Sequence, residues 1–224
     1  MTDRPILFSA AMIRALLTGR KTQTRRVLDV PPVTFDAVFC DDGIWYIGDA
    51  TTGQREARLP VRYQPGDRLW VREAHAILPR TAYRMSIGTG TIAQREHPTD
   101  GYSAAVFREG FDRSGNPGWR PSIHLPRWAS RLTLTVTDVR VQRLQDISEE
   151  DAQAEGCIKL KVTGRAAEFT GSQYLGLHWP SCRAWYRDLW DSLNVARGFG
   201  WDANPWVVAV TFAVAHRNID SAEA

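Results

Sequence analysis

The chain has little cysteine, very little lysine, no internal repeat and no long apolar run. Its three cysteines, Cys40, Cys157 and Cys182, are widely spaced and odd in number, and no Cys-x-x-Cys occurs. None of the five histidines stands at ligand spacing to a cysteine. This argues against a disulfide framework and against a structural zinc; no metal and no cofactor is expected. No apolar segment approaches the roughly 20 residues that a membrane-spanning helix needs. The first residues, MTDRPILFSAAMIRALLTG, have their short apolar run broken by Arg14 and lead into a basic segment, unlike the layout of a signal peptide. The expectation is a cytoplasmic protein with no membrane partner.

Lysine is the most informative scarcity. Lys21, Lys159 and Lys161 stand against 25 arginines. Where arginine is the default cation, a lysine at position 21 suggests that arginine would not serve there. A desolvated lysine can lose its proton and act as a base, whereas arginine effectively cannot.

What is present is an ordinary globular balance, 43% hydrophobic and 24% charged, with net charge +3. That charge is weaker than a dedicated duplex-DNA binder usually carries. A nucleic-acid grip would have to come from a local concentration of charge. Residues 19–26, GRKTQTRR, supply one.

The coarse pattern alternates strands with a few helices. In ILFSAAMIRALLTG, Ser9 is placed to cap a helix whose apolar face is Met12, Ile13, Leu16 and Leu17, and Gly19 stands where the helix should stop. The basic stretch therefore follows a helix C-terminus, whose carbonyls favour cations. GIWYIGD reads as a short strand. In YQPGDRLWVREAH a Pro-Gly-Asp turn feeds a strand with Leu69 and Val71 alternating against Arg68, Trp70 and Arg72. The clearest β pattern is SIHLPRWASRLTLTVTDVRVQRL, with Leu132, Leu134, Val136, Val139 and Val141. DISEEDAQAEG reads as a helix with Ser148 as N-cap, Asp151 as an acidic near-match to a capping box, and Gly156 at the stop. SCRAWYRDLWDSLN is amphipathic, with Trp185, Leu189 and Leu193 on one face, and the hydrophobic NPWVVAVTFAVAH closes the chain. Two stretches without periodicity, at about 78–122 and 158–180, read as insertions, the first partly mobile. The expected class is α+β: a small, mostly antiparallel barrel with helices packed outside.

The residues that could carry chemistry are Lys21, Thr24 and the arginines around them, together with an acid. Two acids close regular elements. Glu73, at the end of LWVRE, has Arg72 and Arg25 as candidate partners. Glu155, at the end of SEEDAQAEG, could equally be a solvated residue on a last helical turn.

Gly19-x-Lys21-x-x-x-x-Arg26 resembles the signature of the ASCH family, a branch of the PUA-like barrels. The segments GRKTQTRR, PGDRLWVRE, HLPRWASR, DISEEDAQAEG and NPWV, in this order, are similar to ASCH proteins of bacteriophages and prophages and span nearly the whole chain. The resemblance implies a single ASCH domain over residues 1–224, acting in a bacterial host cell. Within the family, the N4-acetylcytidine amidohydrolases carry a loop reading Gly-Arg-Lys-Thr-x-Thr-x-Arg, matched here by Gly19, Arg20, Lys21, Thr22, Thr24 and Arg26. Their glutamate follows a Leu-Thr-Glu-x-x-Ala segment, matched by Ile147-Ser148-Glu149-x-x-Ala152, which points to Glu155. The implied catalytic residues are Lys21, Thr24 and Glu155. Arg20, Thr22, Arg25, Arg26 and Glu73 are the implied substrate contacts. Arg25 departs from the pattern, standing where those enzymes have an apolar residue, and this chain is about twice their length.

The implied partner is a nucleoside, a nucleotide or single-stranded RNA. The implied activity is hydrolysis of an N-acylated nucleoside, with Lys21 lowered towards neutrality by the charges of Arg20, Arg25 and Arg26 and by burial. The alternatives are a non-catalytic single-stranded RNA-binding module, with Trp70 or Trp119 stacking on bases, an RNA-cleaving ASCH protein, or a phage protein that binds a host factor.

Overall fold

The computed structural model describes residues 2–30, 35, 37–83, 93–160, 168–170 and 178–221. Along the chain run β1 (Asp3–Leu7), α1 (Ala10–Leu17), β2 (Gln23–Val27), β3 (Ala37–Asp41), β4 (Ile44–Gly48), β5 (Arg55–Arg58), β6 (Arg68–Arg72), β7 (His75–Pro79), β8 (Gln94–Glu96) and β9 (Ser103–Phe107). There follow β10 (Thr133–Arg143), α2 (Glu149–Ala154), β11 (Ile158–Leu160), β12 (Glu168–Thr170), α3 (Cys182–Asn194) and β13 (Trp206–Ala215). The protein is a mixed α+β chain, rich in strands and with few helices. No described helix is long and apolar enough to cross a membrane. The chain divides into two compact units: residues 1–19, 66–135 and 213–224, and residues 20–65 with 136–212.

In the first unit β1 pairs with β6 in parallel, from Asp3 opposite Arg68 to Leu7 opposite Arg72. The start of β10 pairs with β6 antiparallel, Leu134 opposite Leu69. The parallel pair is an exception to the mostly antiparallel pairing that is expected and that the other described strand pairs follow. Trp70, expected on the face opposite Leu69 and Val71, is 6% exposed and buried like them. With three successive side chains buried, β6 is covered on both faces, so simple alternation fails. The guanidinium of Arg72 lies 4.5 Å from the centre of the Trp70 ring.

The stretch 78–122 contains regular structure that its composition does not suggest. Its described part forms an antiparallel sheet in the order β7-β9-β8. Ala104 to Phe107 are all buried, and Ala105 and Phe107 pack with Leu125 and Ala129. A buried strand of small residues has no period to read. Residues 84–92 of that stretch lie outside the described residues.

In the second unit β2 pairs antiparallel with β13, Thr24 opposite Val210. The strands β3, β4 and β5 form a meander of which only β4 was expected. Asp42 and Gly43 both have positive φ, 49° and 78°, and link Asp41 to its partner Ile44. That is the two-residue hairpin turn that an Asp-Gly pair favours. Helices α2 and α3 close over a core of Leu144, Ile147, Ala152, Trp185, Tyr186 and Trp190. On α3 the buried side is Cys182, Trp185, Tyr186, Trp190 and Asn194, with Leu189 partly covered. Leu193, expected on that side, is 44% exposed. Of the stretch 158–180, β11 and β12 pair antiparallel, and residues 161–167 and 171–177 lie outside the described residues.

Candidate functional site

The basic loop meets the end of α2. Ser148 caps this helix as expected, its hydroxyl accepting from the Asp151 amide at 3.1 Å. The Asp151 side chain does not complete a capping box but turns to Arg25, Arg140 and Gln23. Glu155 is the C-cap of α2, and Gly156 follows at φ 118°. A helix leaves its last carbonyls without intrahelical partners. Here three successive loop residues satisfy three successive carbonyls. The Thr22 amide donates to Ala154 O at 2.8 Å, Lys21 Nζ to Glu155 O at 3.1 Å, and Arg20 Nη1 to Gly156 O at 2.8 Å. The carbonyls that receive these donors are those at the end of α2. The negative end of the α2 dipole favours both cations.

This docking also brings side chains together. Lys21 Nζ lies 2.5 Å from Glu155 Oε2. Arg25 Nη1 reaches Glu155 Oε1 at 3.2 Å and Gln23 Oε1 at 2.5 Å, and its Nη2 reaches Asp151 Oδ2 at 2.6 Å. Arg140 also holds Asp151, at 2.9 Å. Lys21 is 0% exposed, Glu155 2% and Arg25 4%. Glu155 is thus no solvated end-of-helix residue.

Burial pushes the Lys21 ammonium below its ordinary range, and the charges of Arg26 and Arg25 add to this while Glu155 opposes it. Burial, rather than the arginines, is the leading cause, because the charged form loses its hydration there. Asp151 is held below the ordinary carboxylate value: burial pushes it up, but hydrogen bonds from Arg140 and Gln23 and the charges of Arg25 and Arg140 outweigh that.

Thr24 occupies a different position. Successive side chains on a strand point to opposite faces. Thr24 therefore lies on the face of β2 opposite Gln23 and Arg25, which reach Asp151 and Glu155. Its side chain is buried. Arg26 shares the face of Thr24, in register with Val208.

Glu73 belongs to the first unit. Its carboxylate is held there by Arg131 through two hydrogen bonds of 2.8 Å, so neither Arg72 nor Arg25 is its partner. Burial pushes Glu73 up, against the pull of Arg131. Trp119 is half-buried and packs edge-on against Phe111 at 5.1 Å. With Trp70 buried, neither tryptophan is a freely exposed stacking platform.

The sequence reading missed Tyr186, Asp151 and Gln23. Tyr186 is 3% exposed, and its ring centre lies 5.9 Å from the Arg25 guanidinium. Burial and the Glu155 charge push its hydroxyl well above the ordinary tyrosine value. An aromatic residue inside an amphipathic helix reads only as core. Asp151 was visible only as a cap. Among the described residues no group of three or more His, Cys, Asp or Glu side chains is placed to hold a metal ion.

No protein-family model, curated protein or solved structure matches the chain. The arrangement itself offers a buried amine against a carboxylate, flanked by a guanidinium. Chemically, that set can move a proton and stabilise a developing negative charge.

Proposed function

We propose that this chain is an ASCH protein with a PUA-like barrel that hydrolyses an N-acylated nucleoside, free or within single-stranded RNA, in the bacterial cytoplasm. The observation that carries the reading is the 2.5 Å contact between Lys21 Nζ and Glu155 Oε2, both fully withdrawn from solvent. These are the two positions that the resemblance of GRKTQTRR and DISEEDAQAEG singles out, and they are 134 residues apart in the chain.

Hydrolysis of an N-acyl group adds water across the C–N bond and yields a carboxylic acid and a free amine. In this proposal neutral Lys21 takes a proton from the attacking water, whose oxygen bonds to the acyl carbon. The tetrahedral intermediate collapses with loss of the C–N bond, and Lys21 returns the proton to the leaving nitrogen. A lysine starts near 10.4 and must be lowered to serve as such a base; its burial supports that. Glu155 orients the amine through the side-chain contact. Arg20 and Thr22 hold the loop on α2, which fixes Lys21. Water is preferred to Thr24 as the nucleophile because Thr24 lies on the other face of β2. Glu73, already taken up by Arg131, has no role in this reading.

The test is incubation of the purified chain with N4-acetylcytidine and a panel of other N-acylated nucleosides, followed by mass spectrometry. The expected result is loss of the acyl mass from one of them. An unchanged panel overturns the hydrolase reading and leaves single-stranded RNA binding through Arg20 and Arg26 as the next to measure.

A further inference from the structure

Arginines in this chain hold carboxylates in a repeated way. Arg55 on Asp41, Arg68 on Asp3, Arg127 on Asp220 and Arg131 on Glu73 each use Nε and Nη2 together. That edge is the planar fork that matches two oxygens at once. Arg25 is different. Its Nη1 serves Gln23 and Glu155 and its Nη2 serves Asp151, but its Nε is buried and has no acceptor among the described residues. Its side chain is 0% exposed. Buried donors are nearly always paired. An unpaired one beside a proton-transfer pair is placed to meet an oxygen of a ligand.

A buried cation needs acceptors around it. Asp151 and Glu155 account for the Nη atoms and leave the Nε–H.

We propose that the Arg25 Nε–H is the donor for the acyl oxygen of the substrate, the oxygen that becomes the carboxylate of the product. This deepens the hydrolase reading and rests on it: Lys21 moves the proton while Arg25, fixed by Gln23, Asp151 and Glu155, holds the oxygen on which charge accumulates. Donors held in place before the charge develops are the most effective kind. The ligand class is therefore an acyl group small enough to lie beside a buried guanidinium, with acetate as the simplest product.

The experiment is nitrogen-edited NMR of the arginine Nε–H signals of the full chain, titrated with sodium acetate and, separately, with inorganic phosphate. The Arg25 signal is assigned by its loss in Arg25→Lys. Should that variant fail to fold, through-bond correlation in the unaltered protein assigns it instead. A saturable shift of the Arg25 signal with acetate is expected, while the Arg131 signal, engaged by Glu73, stays in place. An Arg25 signal unmoved by acetate overturns the proposal. So does a response to phosphate alone, which would assign the edge to a nucleic-acid backbone. The acetate response without turnover of any acylated nucleoside retires the hydrolase reading and keeps the binding site. Turnover with an unmoved signal does the reverse.

Discussion

Lys21 touches Glu155 twice, through its side-chain carboxylate at 2.5 Å and through its backbone carbonyl at 3.1 Å. One contact is an ion pair and the other closes the end of a helix. The same lysine is thus tied into the fold of the second unit and into the proposed chemistry.

Removing one side of this pair should cost stability. Lys21→Met leaves Glu155 buried with Arg25 as its remaining cation, and breaking a buried pair from one side costs about 3–5 kcal/mol. Lys21→Met with Glu155→Leu, which removes both charges, should be less destabilised than the sum of the two single changes. Urea unfolding of the four proteins measures this. Additive losses would show that the two residues are not coupled.

Lys21→Arg separates a proton carrier from a simple cation. It keeps the positive charge and most of the reach but removes the accessible neutral form. Turnover, once a substrate is identified, should fall by about 10²–10⁴. In the unaltered protein, activity should rise with pH until Lys21 is neutral, with the midpoint below the ordinary lysine value because burial lowers it. A variant that retains full turnover would remove Lys21 from the mechanism.

How much of this was legible beforehand differs from residue to residue. The end of α2 could be read because a capping serine, an acidic first turn and a terminal glycine are local signals. Its meeting with the basic loop could not, since no local pattern joins residues 134 positions apart. That pairing came from resemblance alone. The sheet of β7, β8 and β9 was missed because Ala104 and Ala105, buried side by side, carry no alternation. The hairpin of β3 and β4 was missed although its Asp42-Gly43 turn was a readable signal. Trp70 was misplaced because alternation predicts an exposed face only for strands with one covered side. Tyr186 had no signal of its own, because its role depends on the carboxylate that the fold brings to it.

Asp151 should couple stability to acid. Its carboxyl lies below the ordinary value in the folded chain. Between the folded value and the unfolded one, about 3.9, the unfolded chain binds more protons, so stability rises with pH across that window. The contribution is complete above the unfolded value and is lost as pH falls through the folded one. Urea midpoints measured across this range should drop more steeply for the unaltered protein than for Asp151→Asn. Parallel curves would show that Arg25 and Arg140 do not favour its charged form.

Thr24→Val decides where the attacking oxygen comes from. The change keeps the β-branched shape, so β2 should hold its place against β13. It replaces only the hydroxyl with a methyl group. If water attacks and Lys21 is the base, no proton path runs through Thr24, and turnover should stay within about tenfold of the unaltered protein, roughly 1.4 kcal/mol in barrier. If the Thr24 oxygen bonds to the acyl carbon, its removal abolishes the covalent route, and the loss should match that of Lys21→Arg. Brief incubation followed by intact-mass measurement adds an independent readout. An acyl-enzyme raises the mass of the chain by the acyl group and disappears in Thr24→Val, whereas direct attack by water leaves the mass unchanged in both proteins. The strand face on which Thr24 stands predicts the second result. Detection of a Thr24 ester would show that the loop rearranges on binding substrate and that the threonine is the nucleophile.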